Sequence, residues 1–211
     1  MSKMRVRGLH VALLVVFLAV FVWSAVKPRD LQTWCLELGP IVVGMILLVV
    51  TYRKFPFTTL TYVWICLSAI IVAVGGHYSY AHNPWFQWLG EKFGWERNYY
   101  DRFGHCVKGL VALLIAREIL VRKSPVRDTH PKWLVFLALN LVMSSAGVYE
   151  LLEFTVAKIT GTGAQEFLAT QGDVWDTQWD MTMALLGAVI GLVAFSKWQD
   201  RQMLRLPIDK S

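Results

Sequence analysis

Residues 171–195 read QGDVWDTQWDMTMALLGAVIGLVAF: three aspartates and two tryptophans opening straight into a run with no charge from Thr182 to Phe195. An aspartate deep in a membrane helix costs about 2.5–3.5 kcal/mol, less toward the interface. Asp173, Asp176 and Asp180 are therefore expected at the headgroup end of a span and turned away from the acyl chains. The rest of the sequence is read for what they turn toward.

The 211 residues are 55% hydrophobic and 17% charged, with mean hydropathy +0.45. A soluble domain of this size is rarely so apolar, and several runs approach the roughly 20 residues that cross a bilayer. These features predict an all-α, polytopic transmembrane helical bundle, a single membrane domain over 1–211. About six spans are drawn, near 9–26, 36–52, 57–75, 103–121, 133–157 and 179–198. The first lacks a small-x-small exit and is read as a retained anchor, not a cleaved signal. Pro40 is placed in the first turns of its helix, where proline is tolerated.

Lysine and arginine set the orientation. With both ends inside, 14 of the 21 basic residues fall on the inner side and 7 on the outer. That bias over short loops predicts an N-in/C-in chain. The same dispersal leaves no basic stripe or aromatic-basic platform, which excludes a nucleic-acid surface. The lipid bilayer is the expected partner, and no feature sets an oligomeric state. Residues 82–96, HNPWFQWLGEKFGWE, are too short and polar to span. Asn83 before Pro84 starts a helix, and Trp85, Trp88, Leu89 and Phe93 recur at helical spacing. A short interfacial helix on the outer face is expected.

Under this topology 11 of the 15 acidic residues lie at the outer side. Asp101 and His105 are four apart at the start of the fourth span, and Glu150 and Glu153 three apart at the end of the fifth. Such pairs share a helix face. The Asp173–Asp176–Asp180 stripe continues into Ala184, Gly187 and Gly191, small residues that let helices approach closely. Gly109, Ala112 and Ala116 repeat the pattern below His105. Three helices are thus expected to meet with their carboxylates and one imidazole in an outward-opening polar pocket. Spans one to three are read as carrying no matching buried charge.

Carboxylates with one imidazole suit a divalent metal, its identity not set by the ligand types. His105, Glu150, Asp176 and Asp180 are the candidate metal ligands. Asp101, orienting His105, together with Glu153 and Lys108, are the candidate catalytic groups, Lys108 or Arg102 steadying an anionic headgroup. Three readings stay open: an ion-paired structural network, a metal or acid–base centre, and an ion pathway. His77 and His82 are candidates to approach the pocket, Glu118 is paired with Arg117 at the inner interface, and Asn140 is expected to bond between helices. Cys35, Cys66 and Cys106 show no metal-binding spacing. They read as small apolar residues, with a Cys35–Cys106 bridge as the alternative.

The segments NYYDRFGH, AREIL, YELLEF and TQGDVWDTQWDM resemble the YjdF-type family of uncharacterised bacterial inner-membrane proteins, over most of the chain. The resemblance implies a multi-spanning inner-membrane protein and supplies no activity. A fainter likeness, to VanZ-type membrane proteins, maps onto His105, Glu150, Asp176 or Asp180, and Gly187 to Gly191. It departs at Ala184, where those proteins carry an Asn, and it points to envelope or lipid-linked chemistry. The leading expectation is metal-assisted hydrolysis or transfer on a lipid or lipid-linked phosphate at the outer face; the rival is a non-enzymatic scaffold or transport component.

Overall fold

The computed structural model describes residues 3–160 and 168–206, with side chains from residue 6 onward. The side chains of Lys3 and Arg5, and residues Glu166, Asp209 and Lys210, which enter the charge balance above, lie outside them. The described chain is built from helices: α1 (Lys3–Ser24), α2 (Leu31–Thr51), α3 (Thr59–Tyr78), α4 (Pro84–Phe93), α5 (Tyr100–Lys123), α6 (Val126–Thr129), α7 (Pro131–Thr160) and α8 (Asp176–Met203). A 3₁₀ turn, Tyr80–His82, joins α3 to α4.

Five of these, α1, α2, α3, α7 and α8, are long and apolar enough to cross a membrane. Helix α5 has 24 residues, about 36 Å at 1.5 Å per residue, but carries too many charged side chains to qualify on composition. Its buried positions include Asp101, His105, Arg117 and Glu118, while its exposed ones include Phe103 and Ile119. Its ionisable groups thus face the bundle interior alongside Val107, Leu110, Leu113 and Leu114.

Local chemistry sets the boundaries. Asp30 caps α2 by accepting from the Thr33 N–H at 2.6 Å, which begins the helix at Leu31 and leaves Pro40 in its interior, not its first turns. A proline there cannot donate to the carbonyl of Leu36. Thr58 caps α3. Asn83 caps α4 through the N–H groups of Trp85 and Phe86, with Pro84 in the first turn. Gly94, at φ +66°, ends α4 in the left-handed conformation that glycine adopts without penalty.

Helices α5 and α8 form the most intimate pair, and small residues make it so. A Cβ on Gly109 would land on the backbone carbonyl of Ala184, and one on Gly187 on that of Cys106. Helices α3 and α7 flank this pair, with Leu113, Ala138, Val142 and Ala188 forming a core between α5, α7 and α8. Helices α1 and α2 both pack on α3, through Phe17, Cys66 and Ala69 and through Leu38, Val72 and Ala73. The three cysteines are free, so no Cys35–Cys106 bridge forms. Asn140 donates to Phe136 O of its own helix on an exposed face and, among the described residues, bonds no neighbouring helix.

Candidate functional site

One end of the bundle gathers the starts of α2, α5 and α8 and the end of α7. Asp101, His105, Glu150, Glu153, Asp176 and Asp180 all lie there, each no more than 9% exposed. His105 Nε2 is 3.6 Å from Asp101 Oδ1 and His105 Nδ1 is 3.9 Å from Glu150 Oε1. One ligand atom each from Asp101, His105 and Asp180 lies within 4.8 Å of the other two. Three ligands held tetrahedrally at about 2.1 Å from one ion sit about 3.4 Å apart, so the furthest pair would have to draw together by up to about 1.4 Å to close the set.

The close α5–α8 crossing explains the convergence. Because Gly109 and Gly187 let the two backbones touch, the side chains one or two turns above them, on both helices, face each other at short range.

The structure divides the predicted residues into two groups. Asp176 belongs with the arginines: Arg97 reaches its Oδ1 at 2.8 Å, and Arg102 lies 4.0 Å away. Both arginines also pair with Asp173, and Arg102 stacks over Tyr99 and Trp179. Arg102 is thereby occupied, instead of being held ready for an anionic group. Asp173, in the loop before α8, accepts from the Trp175 N–H at 2.9 Å. That backbone bond, with Arg102 and Arg97 behind it, holds its carboxyl below the ordinary carboxylate range. Gln171 completes the lock, accepting from the Asn98 N–H and donating to the Asn98 carbonyl, both at 2.8 Å.

The second group centres on Lys108. Its ammonium sits over the rings of Tyr149 and Tyr80, 4.4 and 5.4 Å from their centroids, and 3.9 Å from Glu37 Oε2. Tyr80 and Tyr149 both donate to that same oxygen, at 2.9 and 3.0 Å. Glu37, 3% exposed on α2, corrects the expectation that the first three spans bring no buried charge. The signal was present: one carboxylate in an otherwise apolar span is a functional candidate by default. Tyr80 reaches it because Ser79 takes φ +61° and Gly75 leaves room; a Cβ there would stand 2.6 Å from the Tyr80 ring.

Other expected neighbours lie elsewhere. His77 bonds Ser24 O at 3.1 Å and packs on Trp23, outside the cluster. Glu118 and Arg117 do not pair with each other. Fully buried Glu118 accepts from Thr58 N and Oγ1, Thr61 Oγ1, Arg122 and Gln199, while Arg117 bonds Gln199 and Asp200. The two side chains leave their helix at a 100° offset, so each meets a different neighbour.

Beneath His105 and Lys108 a cavity of about 180 Å³ opens between α5, α7 and α8. Its lower wall is small and apolar, with Gly109, Ala112, Ala146 and Ala184, and its upper wall carries His105, Lys108 and Tyr149.

A family model described as "Predicted membrane protein (DUF2238)" matches residues 9–201. The chain belongs to this family. Among its relatives is the "Inner membrane protein YjdF" of Escherichia coli (strain K12), 41% identical over 186 residues that cover 88% of each chain. No solved structure matches. With five bilayer-length apolar helices, this DUF2238 member is a multi-pass protein of the bacterial inner membrane.

Proposed function

We propose that this protein holds a divalent cation between α5, α7 and α8, and uses it in hydrolysis or transfer on a lipid or lipid-linked phosphate. The chain would cross the membrane six times, α5 included, with both ends cytoplasmic and the acidic end facing outward. Helix α4 would lie in the outer interface, where Trp85, Trp88 and Phe93 are exposed.

The supporting observation is the Asp101–His105–Asp180 set, with Asp180 Oδ1 and Glu150 Oε1 both buried and without hydrogen-bond partners among the described residues. Buried acceptors left unmet are costly. Charge balance sharpens this. Arg97 and Arg102 answer Asp173 and Asp176, and Lys108 answers Glu37. Among the described residues, Asp101, Glu150, Glu153 and Asp180 have no lysine or arginine within ion-pair distance and share only the more distant Lys108. Four buried carboxylates around one lysine call for positive charge from outside the chain or for protonation.

In this reading Asp101, His105 and Asp180 are the ligands, and Glu150, beside the opposite imidazole nitrogen, would orient the ring by accepting its N–H. Asp176 fixes the entrance of α8 through the arginines. A bound divalent cation would lower the pKa of a bound water and polarise a phosphoryl oxygen. Lys108 would sit beside the anionic group. The cavity below, small and apolar, suits the first carbons of a lipid tail.

The test is metal analysis of detergent-purified protein after incubation with Mg²⁺, Mn²⁺ or Zn²⁺ and desalting. About one equivalent is expected for wild type, and at least a tenfold loss of affinity for His105→Ala and Asp180→Asn. Protein that binds no metal, and keeps its stability when Asp101 and Asp180 are both made Asn, would identify the cluster as helix-joining structure only.

A further inference from the structure

Helices α1 and α2 are tied at both ends and apart in the middle. At the acidic end Trp34 donates to Ser24 at 3.0 Å and packs on Phe21. At the other end His10 Nδ1 meets the Tyr52 hydroxyl at 2.9 Å. Between these ties a fissure of about 310 Å³ opens sideways, with α3 as its floor. Leu14 lines it from α1 and Met45 and Leu48 from α2; Phe17 and Cys66 close its deep end. Arg7 stands at its mouth, near the start of α1, and pairs with no acid among the described residues. Arg53 and Lys54, both exposed, follow Tyr52 at the same level.

We infer that this fissure holds one acyl chain of an anionic phospholipid, with the lipid phosphate on Arg7. Three features select that occupant. The walls are almost wholly apolar and face the bilayer, where only hydrocarbon can fill the space. From Arg7 to Phe17 is ten residues, about 15 Å along the helix, which is half of the roughly 30 Å hydrocarbon core. That length fits the tail of one leaflet, while a partner helix would need a face running the full thickness. The mouth is basic, and the polar groups nearest it are already committed. His10 bonds Tyr52 and, through Nε2, Thr59 at 3.0 Å, so the headgroup is left to arginine and lysine. Basic side chains at this depth favour anionic headgroups.

The experiment uses the full chain in nanodiscs containing a phosphatidylglycerol with a diazirine in its acyl chain or, in parallel, the matching phosphatidylcholine. Crosslinked peptides are mapped by mass spectrometry. Labelling at Leu14, Met45 and Leu48 is expected several-fold above the exposed lipid-facing Val193, with phosphatidylglycerol favoured. Leu14→Trp, which fills the fissure, or Met45→Phe as the milder variant, should abolish the excess. Arg7→Gln should cut the preference for phosphatidylglycerol about fivefold, the factor given by about 1 kcal/mol. Labelling no greater than at Val193, or unchanged by both filling variants, would overturn the site. So would protein–protein crosslinks across α1 and α2, which would make the occupant a second copy. Equal labelling by both lipids would overturn the headgroup assignment.

Discussion

Glu118 and Glu37 show two ways a single carboxylate is made tolerable inside a bundle. Glu118 is met by five donors from α3, α5, α8 and the turn before α3, all protein. Removing it would strand Thr58 N–H and leave Arg122 with only Pro56 O and the Phe55 ring in place of a carboxylate. Glu118→Ala is therefore expected to lose about 3–5 kcal/mol, and Glu118→Gln, which keeps one carbonyl acceptor, distinctly less. Thermal unfolding in detergent measures both; equal, small losses would mean the donors find water. Glu37 was hard to place from sequence for a plain reason. Its partners Tyr80, Lys108 and Tyr149 lie 43, 71 and 112 positions away, and helical spacing carries no information at that range. Asp101 and His105, four apart, were legible because a helix brings i and i+4 together wherever it sits. Arg97 was missed because it comes from a loop, where no periodicity predicts direction.

At the scale of elements, the small-residue stripes were the most informative feature of the sequence. Gly109 and Gly187 occupy the contact itself, each facing a backbone carbonyl and not a flexible side chain. A backbone cannot step aside cheaply, so Gly187→Ala must separate α5 from α8. A loss of at least about 1–3 kcal/mol is expected, with the site's carboxylates drawn apart and any bound metal released. Gly147, on α7, has open space around it. Gly147→Ala is expected to be neutral or up to about 1 kcal/mol stabilising, and the pair read by thermal melts separates packing from propensity. The loop before α8 supplies the second prediction at this scale. Since Asp173 is held below the ordinary carboxylate range by the Trp175 N–H and the arginines, its contribution is fully present above the unfolded value near pH 4. It is lost as pH falls through the lowered folded value. Asp173→Asn should therefore melt earlier than wild type at pH 7, and the difference should shrink as pH falls below the ordinary carboxylate range. A gap that stayed constant however far the pH fell would assign the effect to lost hydrogen bonding and not to charge.

Seen whole, the molecule has an acidic end and a basic end, and α5 is the axis between them. Composition averages over all faces of a helix, so it undervalues one whose ionisable groups point inward. Asp101, His105, Arg117 and Glu118 are all buried within the bundle, which is where intramembrane charge is tolerated. This is why α5 is less apolar on average than its neighbours, and why the proposal that it is a sixth span rests on its packing between α3, α7 and α8. If α5 spans, the turn after α4 and the turn before α6 lie on opposite sides of the membrane. Cysteine labelling decides it. With Cys35, Cys66 and Cys106 replaced by serine or alanine, Lys92→Cys should react with a membrane-impermeant maleimide in intact cells whose outer membrane admits the reagent. Ser124→Cys should react only after the inner membrane is opened. Reaction of both from outside would deny α5 its crossing. The reverse pattern would turn the acidic end to the cytoplasm, against the positive-inside bias of the loops, and would move the proposed cation centre to a compartment with different metals and different lipid phosphates.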